Sequence, residues 1–235
     1  MRIGLVAEVK WEVRQVCRQL QLKRLSEAHL FGAMLHGHDI RLCLSGMIPA
    51  VAKERVERFL DVTKPDLMIS SGLAGALQPH IVVGDVIVQS HDSSLAQLAA
   101  QALKEEDLPF HVGPLVTVAQ PVLTPAARKE LAKKTNAIGV DMESQTIAAL
   151  CKPRGIAALA LKAVSDGMDD DLSPILGGFD IIRIPRIALR VLARPATWPL
   201  AVRLAQHSHL AADHLGHAVW GVLTRFARPA EGKSC

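Results

Sequence analysis

Through its first 165 or so residues the chain alternates short apolar runs with stretches whose apolar residues return every three to four positions. Residues 3–7, 40–44, 67–71, 82–89, 115–119, 137–140 and 156–164 read as strands, mostly compact runs rich in β-formers. Residues 12–22 place Val13, Val16, Cys17 and Leu20 at helical spacing. Residues 49–60, 95–104, 126–135 and 144–152 read as further helices, and Thr124-Pro125 supplies a cap followed by proline. This order predicts an α/β fold, with a mixed, mainly parallel central sheet flanked by helices. Residues 166–182 contain Asp169-Asp170-Asp171, Pro174 and Gly177-Gly178 and predict a loop. A long amphipathic helix over 200–225 closes the pattern. The expected organisation is a single domain over 1–235, with a core over 1–182 and a basic helical extension over 183–235.

Two of the apolar runs end abruptly in acid. One is Gly139-Val140-Asp141-Met142-Glu143-Ser144, the other Lys162-Ala163-Val164-Ser165-Asp166. A buried strand that delivers side chains into a pocket looks like this, and in open α/β sheets ligands bind at the carboxyl ends of strands. Two carboxylates arriving this way suggest chemistry on a polar small molecule.

Composition narrows the class. A hydrophobic content of 49% over 235 residues supports one sizeable core. No apolar run approaches the roughly eighteen residues of a spanning helix. Residues 3–7 are too short for a signal sequence and are followed at once by Glu8 and Lys10, so a cytoplasmic protein is expected. Cys17, Cys43, Cys151 and Cys235 have no CxxC spacing and read as reduced structural thiols. The formal charge of +4 is mild but uneven: Arg183, Arg186, Arg190, Arg194, Arg203, Arg225, Arg228 and Lys233 face only Asp213 and Glu231. Such a tail suits phosphate or an anionic membrane surface, although a solvated helical face is the commoner explanation. Aromatic residues are only 3% and no nucleic-acid motif is present, which argues against a nucleic-acid-binding module. His207, His209, His214 and His217 lack a matching carboxylate set, and Asp169-Asp170-Asp171 lacks a calcium-loop pattern, so no metal site is expected.

An ordered set of segments carries a family resemblance. Arg2-Ile3-Gly4-Leu5-Val6 opens the chain, with Glu12 just after it. Ser45-Gly46, Ser71-Gly72-Leu73-Ala74-Gly75-Ala76-Leu77 and Val83-Gly84-Asp85-Val86 follow, and the two acid-ended segments complete the series. Over about residues 1–166 this resembles the nucleoside phosphorylase/nucleosidase family, which includes methylthioadenosine/S-adenosylhomocysteine nucleosidase, futalosine hydrolase and hopanoid-associated phosphorylase. The stretch from Gly113 to Gln145 and the basic C-terminal helix look most like the hopanoid-associated branch.

The resemblance implies cleavage of the bond between ribose C1′ and a purine nitrogen, in an adenosine derivative altered at the 5′ position. It implies Asp166 as the general acid at N7, helped by Ser165, with its pKa lifted by burial. Glu143 would hold the 2′- and 3′-hydroxyls, Met142 would pack on the sugar, and Glu12 would position the attacking water. Ser45, Gly46, Gly72, Ala74, Val122 and Leu123 complete the implied substrate-binding set. No cofactor is implied, phosphate being the co-substrate if the enzyme is a phosphorylase, in which case amides around Gly72 to Gly75 would cradle it. A homo-oligomer is implied, and adenosylhopane would be the substrate on the hopanoid branch, with the C-terminal helix at a membrane surface.

Three departures leave alternatives open. Leu73 replaces the family's serine or cysteine, Val122-Leu123 stands where an aromatic residue is frequent, and the segment between Val88 and Leu95 is short. Hydrolysis, phosphorolysis and nucleoside binding without turnover therefore all remain readings. Taken alone, Asp166 could cap the following loop, Glu143 and Asp141 could serve the start of a helix, and Glu12 could be an ordinary early-helix carboxylate.

Overall fold

The apolar run Arg2–Ala7 (β1) lies between two parallel neighbours, β4 (His38–Leu44) and β5 (Leu67–Ala76). Ile3, Leu5, Val6 and Ala7 are buried, as expected for a strand covered on both faces. The computed structural model describes residues 1–25, 27, 29–46, 48–177 and 191–227. Among these, ten strands form one mixed sheet with the main order β2-β3-β4-β1-β5-β10-β6-β7. The remaining named strands are β2 (Lys23–Arg24), β3 (Leu30–Leu35), β6 (Val86–Gln89), β7 (Phe110–Val112) and β10 (Ala157–Asp166). Off this path, β9 (Gly139–Asp141) pairs antiparallel with the end of β5 and parallel with β8 (Leu115–Thr117). The predicted α/β class with a mixed sheet and a long C-terminal helix is the observed architecture.

Helices α1 (Arg14–Gln19), α3 (Ser93–Glu105) and α7 (Trp198–Ala227) cover one face of the sheet. Helices α2 (Pro49–Thr63) and α5 (Ser144–Cys151) cover part of the other. On α4 (Pro125–Thr135), Thr124 caps the first turn and Asn136 ends the helix with φ 53°. The long helix α7 lays Ala211, Leu215, Ala218, Val219, Val222 and Leu223 into the main core. His214 Nδ1 lies 2.7 Å from the Gly84 carbonyl and His217 Nε2 lies 3.1 Å from Gln15 Nε2, so these histidines join α7 to neighbouring elements instead of forming a free polar face. No group of His, Cys, Asp and Glu among the described residues is arranged to hold a metal, and no helix among them is long and apolar enough to cross a membrane. The expected boundary at 182/183 and Arg183, Arg186, Arg190, Arg228 and Lys233 lie outside the described residues.

Several boundaries differ from the sequence reading. β5 continues past Ser71 through the glycines to Ala76, because small residues at its end let β9 pair edge-on at Gly75↔Val140 and Ala76↔Gly139. β6 starts at Val86, since Gly84 takes φ 95° and the Asp85 carboxylate accepts the Val82 amide at 3.0 Å. β2, β3 and β7 are additional strands, and α1 begins only at Arg14, which leaves Glu12 in the preceding turn. Within 166–182, Ser173–Leu176 forms a short helix, α6.

Candidate active site

β1, β5 and β10 run parallel, so their carboxyl ends open at one edge of the sheet. β10 keeps register with β5 up to Val164↔Ala74, then slips so that Asp166 stands opposite Gly75. This bulge is a local means of re-aiming side chains. Here Ser165 Oγ donates to Asp166 Oδ1 at 2.6 Å, while Asp166 Oδ2 lies 2.6 Å from Arg128 Nη2. Gly75 makes the approach possible, because a Cβ there would come within 2.7 Å of Asp166 Oδ2.

Arg128, on α4, is 1% exposed and is satisfied on three sides. Besides Asp166 it donates through Nε to the Val122 carbonyl at 3.1 Å and through Nη1 to the Gly167 carbonyl at 2.6 Å. Asp166 ends the apolar strand β10 as expected and is paired with a buried guanidinium, and its carboxylate does not cap the loop: Asp170 takes the Gly167 amide, at 2.7 Å.

At the other end, Glu143 precedes α5 but makes no capping bond. Asp141 does that work, accepting the Ser144 amide at 3.0 Å and the Thr117 hydroxyl at 2.6 Å. Glu143 Oε1 is thereby free to take Lys162 Nζ at 2.6 Å, and the same Nζ lies 3.4 Å from Asp141 Oδ2. Lys162 is fully buried on β10 opposite Gly72. Burial pulls its pKa down, but Glu143 and Asp141 outweigh that and hold it above the usual lysine range.

Gly72 marks the point of convergence. A Cβ on it would lie 3.1 Å from Glu143 Oε1, 3.1 Å from Lys162 Nζ and 3.8 Å from Glu12 Oε2. Glu12 is 5% exposed and, among the described residues, accepts only the Val9 amide, at 3.4 Å. Burial, followed by the charges of Glu143 and Glu8, pushes its pKa up to about 8. Glu8, just beyond β1, is pushed up to about 7, first by burial and then by Glu143.

A cavity of about 180 Å³ joins these groups. Glu12, Met142 and Glu143 line one end; Ser165, Asp166 and Val122 line the other, with Ala74 in the floor. Leu172 and Leu176, from the segment expected to be a loop, also wall it, so the lining near Val122 is aliphatic. Ser45 and Gly46 line a smaller adjoining slot. Leu123 is not in the wall; its carbonyl accepts the Leu172 amide at 2.8 Å. The short segment after β6 leads directly into α3, whose start is capped by Asp92. A wider groove of about 860 Å³ lies between α5 and the starts of α3 and β10, and none of Glu12, Glu143, Lys162 and Asp166 lines it. The convergent charged groups, not cavity size, identify the site.

Sequence reasoning missed Lys162, Arg128 and Glu8. Lys162 carried a usable signal, a lysine in the middle of a buried apolar strand, where an unpaired charge is not tolerated. Arg128 had none, since 125–135 reads as a polar surface helix.

A family model described as the phosphorylase superfamily matches residues 2–91 and 89–176. The 5′-methylthioadenosine/S-adenosylhomocysteine nucleosidase of Haemophilus influenzae (strain PittEE) is 26% identical over 211 residues, spanning 74% of this chain and 89% of that protein. Among solved structures, the 5′-methylthioadenosine/S-adenosylhomocysteine nucleosidase of Neisseria meningitidis in complex with methylthio-immucillin-A superposes with TM-score 0.72 at 18% identity, covering 94% of this chain and 98% of that one. Futalosine hydrolase of Helicobacter pylori gives TM-score 0.69 at 16% identity, covering 93% and 97%. With three quarters of its length matched by that model, the chain belongs to the phosphorylase superfamily.

Proposed function

We propose that this protein hydrolyses the N-glycosidic bond of a 5′-substituted adenosine. The observation that carries the choice of water over phosphate is the crowding of Glu12 and Glu143 over Gly72. A phosphate dianion bound there would face two carboxyl groups, and Lys162, the cation at that point, is already engaged by Glu143 and Asp141. The nucleosidase names of the relatives agree with this reading.

In this reading the base lies against Asp166 and the ribose against Glu143. The bond between C1′ and N9 breaks with its electron pair going to the purine, while Asp166, which takes up one proton from solvent as the base binds, passes that proton to N7. Arg128 and Ser165 hold the carboxylate that remains. Positive charge develops on the sugar, and Glu143 accepts hydrogen bonds from the 2′- and 3′-hydroxyls beside it. Water adds to C1′ and gives its proton to Glu12. In the free protein Glu12 holds a proton at neutral pH; it releases that proton to solvent as positive charge gathers on the sugar beside it, and the ionised form then acts as base. The products are adenine and a 5-substituted ribose. The same reading takes the enzyme as a cytoplasmic homo-oligomer that needs no cofactor.

The test is release of free base from methylthioadenosine, adenosylhomocysteine and inosine, each with and without phosphate. Adenine release independent of phosphate is expected. Strict dependence on phosphate would move the reaction to phosphorolysis, and no release from any adenosyl substrate at high enzyme concentration would overturn the proposal.

A further inference from the structure

A narrow slot leaves the sugar end of the site between α2 and α5. Ala52, Val56, Ile147 and Leu150 give it apolar walls, and its volume is about 90 Å³. Glu8, Met142 and Glu143 line both this slot and the main cavity, so they form the threshold between them. The Glu8 backbone is fixed there, because its carbonyl accepts the Gly46 amide at 2.9 Å.

The Glu8 carboxyl is half-buried and, among the described residues, makes no hydrogen bond and no ion pair. The charged groups facing it come from every adjoining element. Glu12 stands in the turn before α1, Asp141 and Glu143 at the end of β9, Lys162 on β10 and Lys53 on α2. Three of these five are acids. Lys162 is engaged by Glu143 and Asp141, and Lys53 is exposed with Glu57 3.9 Å away. Among the described residues the fold thus leaves this carboxyl without an internal partner, at the mouth of the slot.

We propose that Glu8 is a specificity-determining residue that selects nucleosides whose 5′ substituent carries a protonated amine, or another hydrogen-bond donor, a few atoms from C5′. The inference rests on the functional reading above: with the base at Asp166 and the ribose on Glu143, the 5′ carbon points toward the threshold. A carboxylate held among like charges gains most from a ligand cation that relieves them. Because Glu8 titrates near 7, the preference grows as pH rises through neutrality, while an alkylammonium stays protonated.

The test uses two nearly isosteric substrates, 5′-(2-aminoethylthio)- and 5′-propylthio-5′-deoxyadenosine, with wild type and Glu8→Gln. Taking the ratio of their kcat/KM values cancels the titration of Glu12. Wild type should favour the amine by about tenfold at about pH 8 and by less at about pH 6. In the Glu8→Gln protein the ratio should fall to within about twofold at both. An equal preference in Glu8→Gln, or none in wild type at the higher pH, overturns the inference. Calorimetric Kd ratios for the same pair read the preference without turnover. Binding with the preference but no adenine release overturns the hydrolase reading alone, whereas binding of neither compound overturns both. A melting curve confirms that the variant is folded, and Glu8→Ala provides a second variant that should lose the preference equally.

Discussion

Arg128 Nη2 stands 2.6 Å from Asp166 Oδ2, and the same guanidinium holds the carbonyls of Val122 and Gly167. One buried cation therefore ties the base-end wall to the strand end that carries the proposed acid. Among the described residues Arg128 is the only partner that reaches Oδ2, while Oδ1 is taken by Ser165. Asp166 also lines the cavity, so the arginine fixes this carboxyl at the wall where the base is proposed to lie.

Replacing Arg128 with Met should accordingly damage both folding and activity. It strands a carboxylate that is 13% exposed and leaves two carbonyls without their donor, which costs about 3–5 kcal/mol. Arg128→Lys should recover little, because a single ammonium cannot reproduce the planar fork that reaches three acceptors. Denaturant melts and kcat/KM on methylthioadenosine check this. A Lys variant with wild-type values in both would show that the three-way geometry is immaterial.

Lys162 sits between Glu143 and Asp141 at 2.6 and 3.4 Å. Lys162→Met should lower stability by about 3–5 kcal/mol, since two buried acids lose their cation. Adding Glu143→Gln should return part of that stability and none of the activity, because the ribose ligand is then altered as well. A double-mutant cycle on urea midpoints measures the coupling. Purely additive losses would mean that the pair acts independently.

The sheet was legible because buried parallel strands are short runs dominated by apolar residues, and β1, β4, β5 and β10 all carry that mark, with Arg41 and Lys162 as single interruptions of the apolar runs in β4 and β10. β2 and β3 were not, since the exposed pair Lys23–Arg24 and the unpatterned Leu30–Leu35 draw their pairing from neighbours, not from local preference. The strand end at Ser71 was misjudged because glycine ordinarily punctuates a strand. Here Gly72 and Gly75 remain in the ladder so that Lys162, Glu143 and Asp166 can approach it. Carboxylates at strand ends were readable from one segment at a time. Glu8 carries the same mark, an acid directly after the apolar run of β1, and was overlooked; Arg128 carries none, because what distinguishes it is a tertiary neighbour.

Gly72 gives the sharpest separation of function from stability. In Gly72→Ala the new Cβ would sit 3.1 Å from both Glu143 Oε1 and Lys162 Nζ, so the ends of two side chains must shift by a few tenths of an ångström. The ion pair can move as a unit, and stability should change by less than about 1 kcal/mol. The ribose carboxylate loses its position, and kcat/KM should fall by about 10- to 100-fold. Steady-state kinetics beside a thermal melt test this. A large loss of stability with unchanged kinetics in the remaining folded protein would contradict it.

Glu12 links stability and activity through pH. Its pKa in the folded chain is raised from 4.5 to about 8, so folding favours the neutral carboxyl. The stability this contributes is fully present below the unfolded pKa and is lost as pH rises through about 8. Glu12→Gln cannot ionise and escapes that loss. Its melting temperature should exceed that of wild type by a margin that widens between about pH 5 and about pH 9. Activity should run the opposite way. Wild-type kcat/KM should climb toward about pH 8 as Glu12 becomes able to accept a proton. The Gln variant should be slower by about 100- to 10,000-fold with that rising limb absent. Melts and rate profiles over the same buffers decide the matter. A Gln variant that keeps the alkaline rise would assign it to another group, with Glu8, which titrates near 7, next in line.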